Sequence, residues 1–237
     1  MSIRYAAIVP RRTDEPARPA LSRAAIVAQA LRIVDAEGVD AVSMRRVADH
    51  FGTGPASLYA HVQNREELLL LVGDEVAREV PLPEVDPKRW RVQLLQLLTD
   101  MRAAFTRHGD IAAMSIGRIP LHENSLRVAD RMIALLLAGN MPPKDAALAA
   151  DLLPLYVVAV AFEEGVEALS DRKNGDDYHQ RVAAVWADLS LSDFPAVATL
   201  MPYLFTAGDA EERFRFGIEV LLDGLVARAA RSSRSRR

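Results

Sequence analysis

The chain has 237 residues, half of them apolar and 26% charged, with no cysteine and a formal net charge of −3. That length holds a small domain beside a larger one with a sizeable core, and the absent cysteines exclude disulfide scaffolds, cysteine nucleophiles and thiolate metal centres. The longest continuous apolar run, Leu152 to Phe162, is 11 residues, too short to span a bilayer, and the opening MSIRYAAIVP lacks the apolar core and cleavage site of a secretory leader, so a cytoplasmic protein with no membrane partner is expected.

Residues 1–20 hold three prolines, scattered arginines and no periodicity, and read as a flexible basic arm. Arms of this kind can reach a minor groove with arginine; an untethered terminus is the alternative. Ser22 to Glu37 reads as an amphipathic helix, with Ile26, Val27, Ala30, Leu31 and Val34 on one face and Gly38 just past its end. Residues 43–65, SMRRVADHFGTGPASLYAHVQNR, are the most informative stretch. Ser43 can cap a helix through its hydroxyl. Met44, Val47, Ala48 and Phe51 then recur at helical spacing. Gly52 sits where the chain must turn with positive φ, and Pro55 suits the first turn of a second helix. Leu58 and Val62 would hold that second helix on the core, leaving Thr53, Gly54, Pro55, Ser57, Tyr59 and His61 pointing elsewhere. This is the layout of a helix-turn-helix whose second helix enters a DNA groove. Asn64 is a plausible cap for a further helix reaching about Val80, with Glu66 and Glu67 in its first turn.

Beyond Pro81-Leu82-Pro83 the pattern stays helical, with no convincing strand. Helices are predicted over Lys88–Arg107, briefly over Ile111–Ile116, from His122 or Glu123 to Ala138, over about 145–170, from Tyr178 to Leu189, over Pro195–Phe205, and from Asp209 to about Ala230. Residues 171–177 read as a polar loop, and the arginine-rich end as a disordered basic tail. The expected domains are therefore an arm (1–20), a three-helix head (21–80), a larger helical unit (81–230) and a tail (231–237). The helix at 145–170 is apolar nearly all round between Leu152 and Phe162, so it must be covered on more than one side. The last helix carries Phe214, Ile218, Leu221, Leu222, Leu225 and Val226 on one stripe, with Gly217 and Gly224 seven apart on one face. An interface between copies is expected there, through Val157, Ala161, Gly217, Leu221 and Gly224; core helices of a monomer are the alternative.

Residues 1–65 carry nine arginines against six acids, a balance of +3 that leaves −6 for the remainder. Such a modest surplus suits a site-specific DNA binder with a handful of phosphate contacts. Enzyme signatures are missing: no G-x-S-x-G, P-loop, dinucleotide-binding glycines or H-E-x-x-H. None of the five histidines, His50, His61, His108, His122 and His179, pairs with another at metal-ligand spacing. Glu163, Glu164 and Glu167 read as a solvated or interface-rim patch.

Residues Ile26–Leu31, Gly38, Ser43–Ala48, Phe51-Gly52, Leu58-Tyr59, His61-Val62 and Asn64–Leu69 together resemble the DNA-binding domain of the TetR family of bacterial transcriptional regulators. Ile116–Pro120 and Phe214–Leu221 resemble the regulatory domain of its tetracycline-repressor subgroup. The resemblance implies an all-α fold, with a three-helix head linked to a helical ligand-binding and dimerisation domain, two helices per subunit forming a four-helix dimer bundle. It implies operator contacts from Ser43, Arg45, Thr53, Gly54, Pro55, Ser57, Tyr59, His61 and Arg65. It also implies a ligand cavity, for which the candidates are Met101, Phe105, Ser115, Arg118, Met132, Tyr156, Phe162, Glu163 and Trp186. Tetracycline-type members bind a magnesium chelate partly through two histidines. Here those positions are Ser115 and Leu155, while the family's glutamate is kept as Glu163. No metal or other cofactor is therefore expected. The expected partners are a palindromic double-stranded operator, a small apolar or aromatic inducer, and a second copy of the chain. The expected protein is a ligand-released repressor and not an enzyme. The alternatives are an activator, a regulator controlled by a protein partner, or a helical-bundle enzyme or carrier with a vestigial head.

Overall fold

Ser22 opens the first helix, its hydroxyl accepting from the Ala25 amide at 3.2 Å. α1 runs Arg23–Glu37 and ends at Gly38, whose φ of +90° turns the chain away. A short 3-10 turn, Val39–Ala41, leads to α2, Met44–His50, capped by Ser43 through the Arg46 amide. Gly52, at φ +64°, swings the chain into a 3-10 segment, Pro55–Ala60. A full α-helix was expected here; six residues opening on a proline, with Ser57 N bonded back to Gly54 O, wind more tightly instead. α3, Arg65–Ala77, is capped by Asn64 through the Glu67 amide. Burial of Ile26, Ala30, Val34, Val47, Leu58, Val62, Leu68 and Val72 closes the head's core.

This computed structural model describes residues 20–117, 119, 121–174, 184–186, 192–204 and 210–234. Those residues contain helices and no strand. The larger unit comprises α4 (Trp90–Arg107), a 3-10 turn (Ile111–Ser115), α5 (Glu123–Ala138), α6 (Pro143–Asn174), α7 (Pro195–Leu204) and α8 (Ala210–Arg234). α6 packs chiefly on α4, and also against α5, α8 and the 3-10 turn. One buried core runs without a break from Ile26 of the head to Leu225 of α8.

Three boundaries differ from expectation. α6 continues through Asp171 and Arg172 to Asn174, where a polar loop was expected. α8 continues through Arg231 to Arg234, so the first part of the expected tail is helical. The helix expected at Tyr178–Leu189 lies outside the described residues except at 184–186, which are helical, and the arm lies outside them apart from Ala20.

The all-round apolarity of α6 divides into two faces. Ala149, Leu153, Val157, Ala161 and Gly165 point inward, and the first four are fully buried. Leu148, Leu152, Leu155 and Val166 remain 40–52% exposed. Residues Pro143–Ala168 are long enough to cross a membrane and include an 18-residue stretch with a mean hydropathy of 1.8; here the inner face is instead covered by α4, α5 and α8.

Candidate DNA-binding site and its coupling to the helical domain

The segment from Thr53 to His61 is held by two apolar anchors, Leu58 at 0% and Val62 at 1% exposure. Burying each such side chain is worth about 1.5–3 kcal/mol. With those two facing inward, Tyr59 is 55% exposed, Gly54 is open and a Cβ on Gly54 would meet nothing within 4 Å. Thr53 and Ser57 are half-buried and share a hydroxyl–hydroxyl bond of 2.7 Å, which fixes both at the start of the segment. Pro55 and His61 are half-buried beside them. The structure thus brings together Thr53, Gly54, Pro55, Ser57, Tyr59 and His61 on one short element.

Arg45 projects from the first turn of α2, exposed and with no carboxylate partner among the described residues. Ser43 lends its hydroxyl to the cap. Arg65 is different. Its Nε donates to Val42 O and an Nη to Val39 O, both at 2.7 Å. That geometry ties α3 to the loop before α2, so much of the guanidinium is occupied inside the head. Arg46 is likewise engaged by Glu37, whose hydrogen bond pushes the arginine pKa up. Sequence reasoning missed Arg23. It is exposed on the first turn of α1, and its Nε donates to the carbonyl of His61 at 2.9 Å. Only a contact 38 residues distant reveals it.

The head's charge also differs from its sequence impression. Residues 20–80 carry six arginines and nine carboxylates, a net of −3: the surplus of +3 over 1–65 includes +2 from residues 1–19, and residues 66–80 add −4.

Two carboxylates join the head to the helical domain, one from each side. Asp110, just before the 3-10 turn Ile111–Ser115, accepts from the Val39 amide of the head at 2.7 Å. A Cβ on Gly38 would lie 3.2 Å from the same carboxylate, so glycine serves both the turn and the close approach. In return, Asp74 of α3, 9% exposed, reaches the start of α5. It accepts from Ser125 N and Oγ at 2.8 Å and from Asn124 Nδ2 at 3.0 Å. The N-cap of α5 is His122, whose own side chain caps nothing, so the carboxylate that satisfies the orphan amides comes from another helix. His108 adds a bridge, with Nδ1 2.7 Å from Asp35 and Nε2 3.0 Å from Glu79. For Glu79, partial burial acts to raise the pKa, but the hydrogen bond from Arg107 and the charge of His108 outweigh it and hold the carboxyl below its usual range.

Comparison with known proteins decides the family. Residues 26–72 match the family described as bacterial regulatory proteins, tetR family, and residues 82–229 match the tetracyclin repressor-like C-terminal domain. The chain belongs to the TetR family. The TetR-family protein ActR of Streptomyces coelicolor, solved with (S)-DNPA, is 37% identical, with a TM-score of 0.77 over 89% of this chain and 100% of that one. Its complex with actinorhodin superposes with a TM-score of 0.77 at 38% identity, covering 88% of this chain and 97% of that one. The transcriptional repressor DrrR1 of Streptomyces coeruleorubidus is 28% identical over 91% of this chain and 81% of its own length. Its matches are transcriptional regulators rather than enzymes, which agrees with the absence of catalytic motifs.

In this TetR-family chain the nine expected ligand residues are spread. Phe105 and Met132 are each 3% exposed and belong to the continuous core, against which Met101 and Phe162 pack half-buried. Tyr156 stacks on Phe214 at 5.9 Å, and burial is the main cause of its raised pKa. Glu163 is largely exposed, 3.5 Å from Arg213. Trp186 is half-buried, and Arg118 lies outside the described residues. Ser115 turns towards the head, since a Cβ on Gly73 of α3 would lie 3.7 Å from its Oγ. A cleft of about 220 Å³ opens elsewhere, lined by Trp90, Gly139, Asn140, Met141, Val226, Ala229 and Ala230, none of them an expected ligand residue. Arg102, stacked over Phe214 at 4.7 Å, binds Glu164 and Glu211 and ties α4 to α6 and α8. Burial lowers the Arg102 pKa, but its two carboxylates outweigh that and raise it.

The expected interface residues need correction. Val157 and Ala161 are 0% exposed in a single chain, so a second copy has no surface of theirs to cover. Gly217 faces its own chain, because a Cβ there would lie 2.1 Å from the Tyr156 hydroxyl. Leu221 is partly buried in the same core. Gly224 alone of the five stands open, with nothing within 4 Å of its Cβ position. The apolar surface that remains is Leu148, Leu152 and Leu155 of α6 with Phe216 and Val220 of α8, the last two 71% and 55% exposed.

Proposed function

We propose that this TetR-family regulator is a homodimeric repressor that binds a palindromic operator and is released by a small apolar or aromatic molecule. The carrying observation is the exposed segment Thr53–His61, anchored by Leu58 and Val62 in a head that two carboxylate caps join to the helical domain. Thr53, Gly54, Ser57 and Tyr59 would meet base edges or phosphates, Arg45 a phosphate, and Arg65 would position the segment through its carbonyl bonds. The pairing of copies is supported by the uncovered α6 and α8 faces, and a palindrome requires it. The regulator works in the cytoplasm, where its DNA is.

Inducer action is a population shift. The ligand binds better to a conformation whose heads are wrongly spaced for successive major grooves, and it releases DNA only in proportion to that preference. Ser115 and Leu155 cannot supply imidazole ligands, so a metal chelate is not the inducer. ActR was solved with two small molecules, actinorhodin and (S)-DNPA, which supports an organic ligand here. The test begins with duplexes selected by the protein from a random-sequence pool, followed by a mobility-shift assay with those two molecules as probes, with and without EDTA. Release that persists in EDTA is expected. Release that needs magnesium would overturn the ligand reading, and failure to select any duplex would overturn the repressor reading.

A further inference from the structure

We infer that Arg23 is a phosphate-binding residue that clamps the far end of the DNA-reading segment onto the duplex backbone. This inference rests on the proposed DNA-binding reading. Arg23 Nε donates to the main-chain carbonyl of His61 at 2.9 Å, which uses one of the five guanidinium N–H groups. The bond places the guanidinium of this exposed residue beside the last residue of the segment and does not use its Nη donors. Planar, delocalised and permanently charged, a guanidinium can hold a carbonyl with one edge and a phosphate with the other.

The head's other described cations show why this one matters. Arg46 is held by Glu37, Arg65 by two backbone carbonyls and Arg78 by Glu75. Arg32 is exposed on α1, its Nε bonded to Gln29. Arg23, Arg32 and Arg45 have no carboxylate partner among the described residues, and of these Arg45 lies on the helix before the DNA-reading segment and Arg23 is bonded to the segment's final carbonyl. Over residues 20–80 the net charge is −3, so a general positive field from the head itself cannot hold DNA, and discrete contacts must. A phosphate bound by Arg23 would also set the depth of the segment in the groove, since the same guanidinium grips the segment's main chain.

The experiment uses the full chain and the duplex it selects from a random-sequence pool, with affinity measured between 50 and 200 mM salt. Each phosphate contact contributes about 0.9 to the slope of log affinity against log salt. Arg23→Ala and Arg23→Gln are expected to lose about 0.9 of slope per head, which per head is roughly a 3.5-fold smaller fall in affinity over that salt range. Arg23→Lys should keep the slope, while binding more weakly at every salt because its ammonium lacks the two-edged fork. Arg78→Ala, whose guanidinium is paired with Glu75, should leave slope and affinity unchanged. A residue that only braces His61 would lower affinity by one factor at all salts with no change of slope, and that result in both Arg23→Ala and Arg23→Gln overturns the inference. Far-UV circular dichroism checks that each variant is folded. If the wild-type chain selects no duplex, the DNA-binding reading falls and this inference with it; an unchanged slope on a selected duplex removes Arg23 alone.

Discussion

At the scale of single residues, exposure and anchoring separate in the head. Tyr59 presents more than half its surface to solvent while its neighbour Leu58 presents none. Tyr59→Ala is therefore expected to weaken operator binding by roughly 1–3 kcal/mol, the scale of one good specific contact, with the melting temperature nearly unchanged. An early melt with normal binding would make Tyr59 a packing residue. Gly165 gives the opposite expectation. A Cβ there would lie 1.9 Å from the carbonyl oxygen of Gly109, and that neighbour is backbone, which cannot swing aside. Gly165→Ala should destabilise the fold by about 1–3 kcal/mol or more through overpacking, read as a lower thermal midpoint. The caps of Ser43 and Asn64 were legible in the sequence because a cap and its amide lie three residues apart. The crowding at Gly165 and the role of Arg23 were not, since each depends on a partner more than thirty residues away.

Among the elements, α5 is instructive because it does not cap itself. The sequence pattern placed it from His122 or Glu123 to Ala138, and it runs Glu123–Ala138, but its first turn depends on Asp74 of α3. Asp74→Ala removes an N-cap carboxylate and leaves two α5 amides without that acceptor, so a loss of about 0.5–2 kcal/mol is expected in chemical denaturation. A midpoint equal to the wild type would mean that water replaces Asp74 without loss. α6 shows where sequence reading ends. A helix apolar on every side announces that it is buried but not which residues face which neighbour. Val157 and Ala161 were assigned to an interface on that pattern, and the chain's own buried core claims them instead, while Leu148, Leu152 and Leu155 stay outside. The segment Thr53–His61 was legible as a helix with two inward anchors, Leu58 and Val62, although its tighter 3-10 winding was not.

For the whole molecule, the proposed pairing of copies rests on an uncovered apolar surface spanning α6 and α8. Large exposed apolar patches mark interaction sites. Gly224→Arg tests it cleanly, because the Cβ position is open and the single chain can accommodate the side chain. The variant is expected to fold with normal helicity, sediment as a monomer and lose operator binding. A variant of dimeric mass that still binds DNA would remove this part of α8 from the interface. The all-helical division into head and helical domain was legible throughout, and the family relation adds the ligand-sensing context. The ligand residues were the least legible, because a cavity between helices is defined by the distances among them and not by any one helix's pattern.

The bond from Asp110 to the Val39 amide makes that amide a natural spectroscopic reporter. It belongs to the head, yet its acceptor belongs to the helical domain, so its proton senses both. In a nitrogen-15 correlation spectrum the Val39 resonance should lie downfield, as a short bond to a carboxylate dictates, and its hydrogen exchange should be slow. If inducer reorganises the turn that follows Asp110, this one peak should move on ligand addition before any DNA is present, and its exchange should quicken. A Val39 signal indifferent to a ligand that releases DNA would show that the message travels by another route, and Asp74 would be the next amide acceptor to follow.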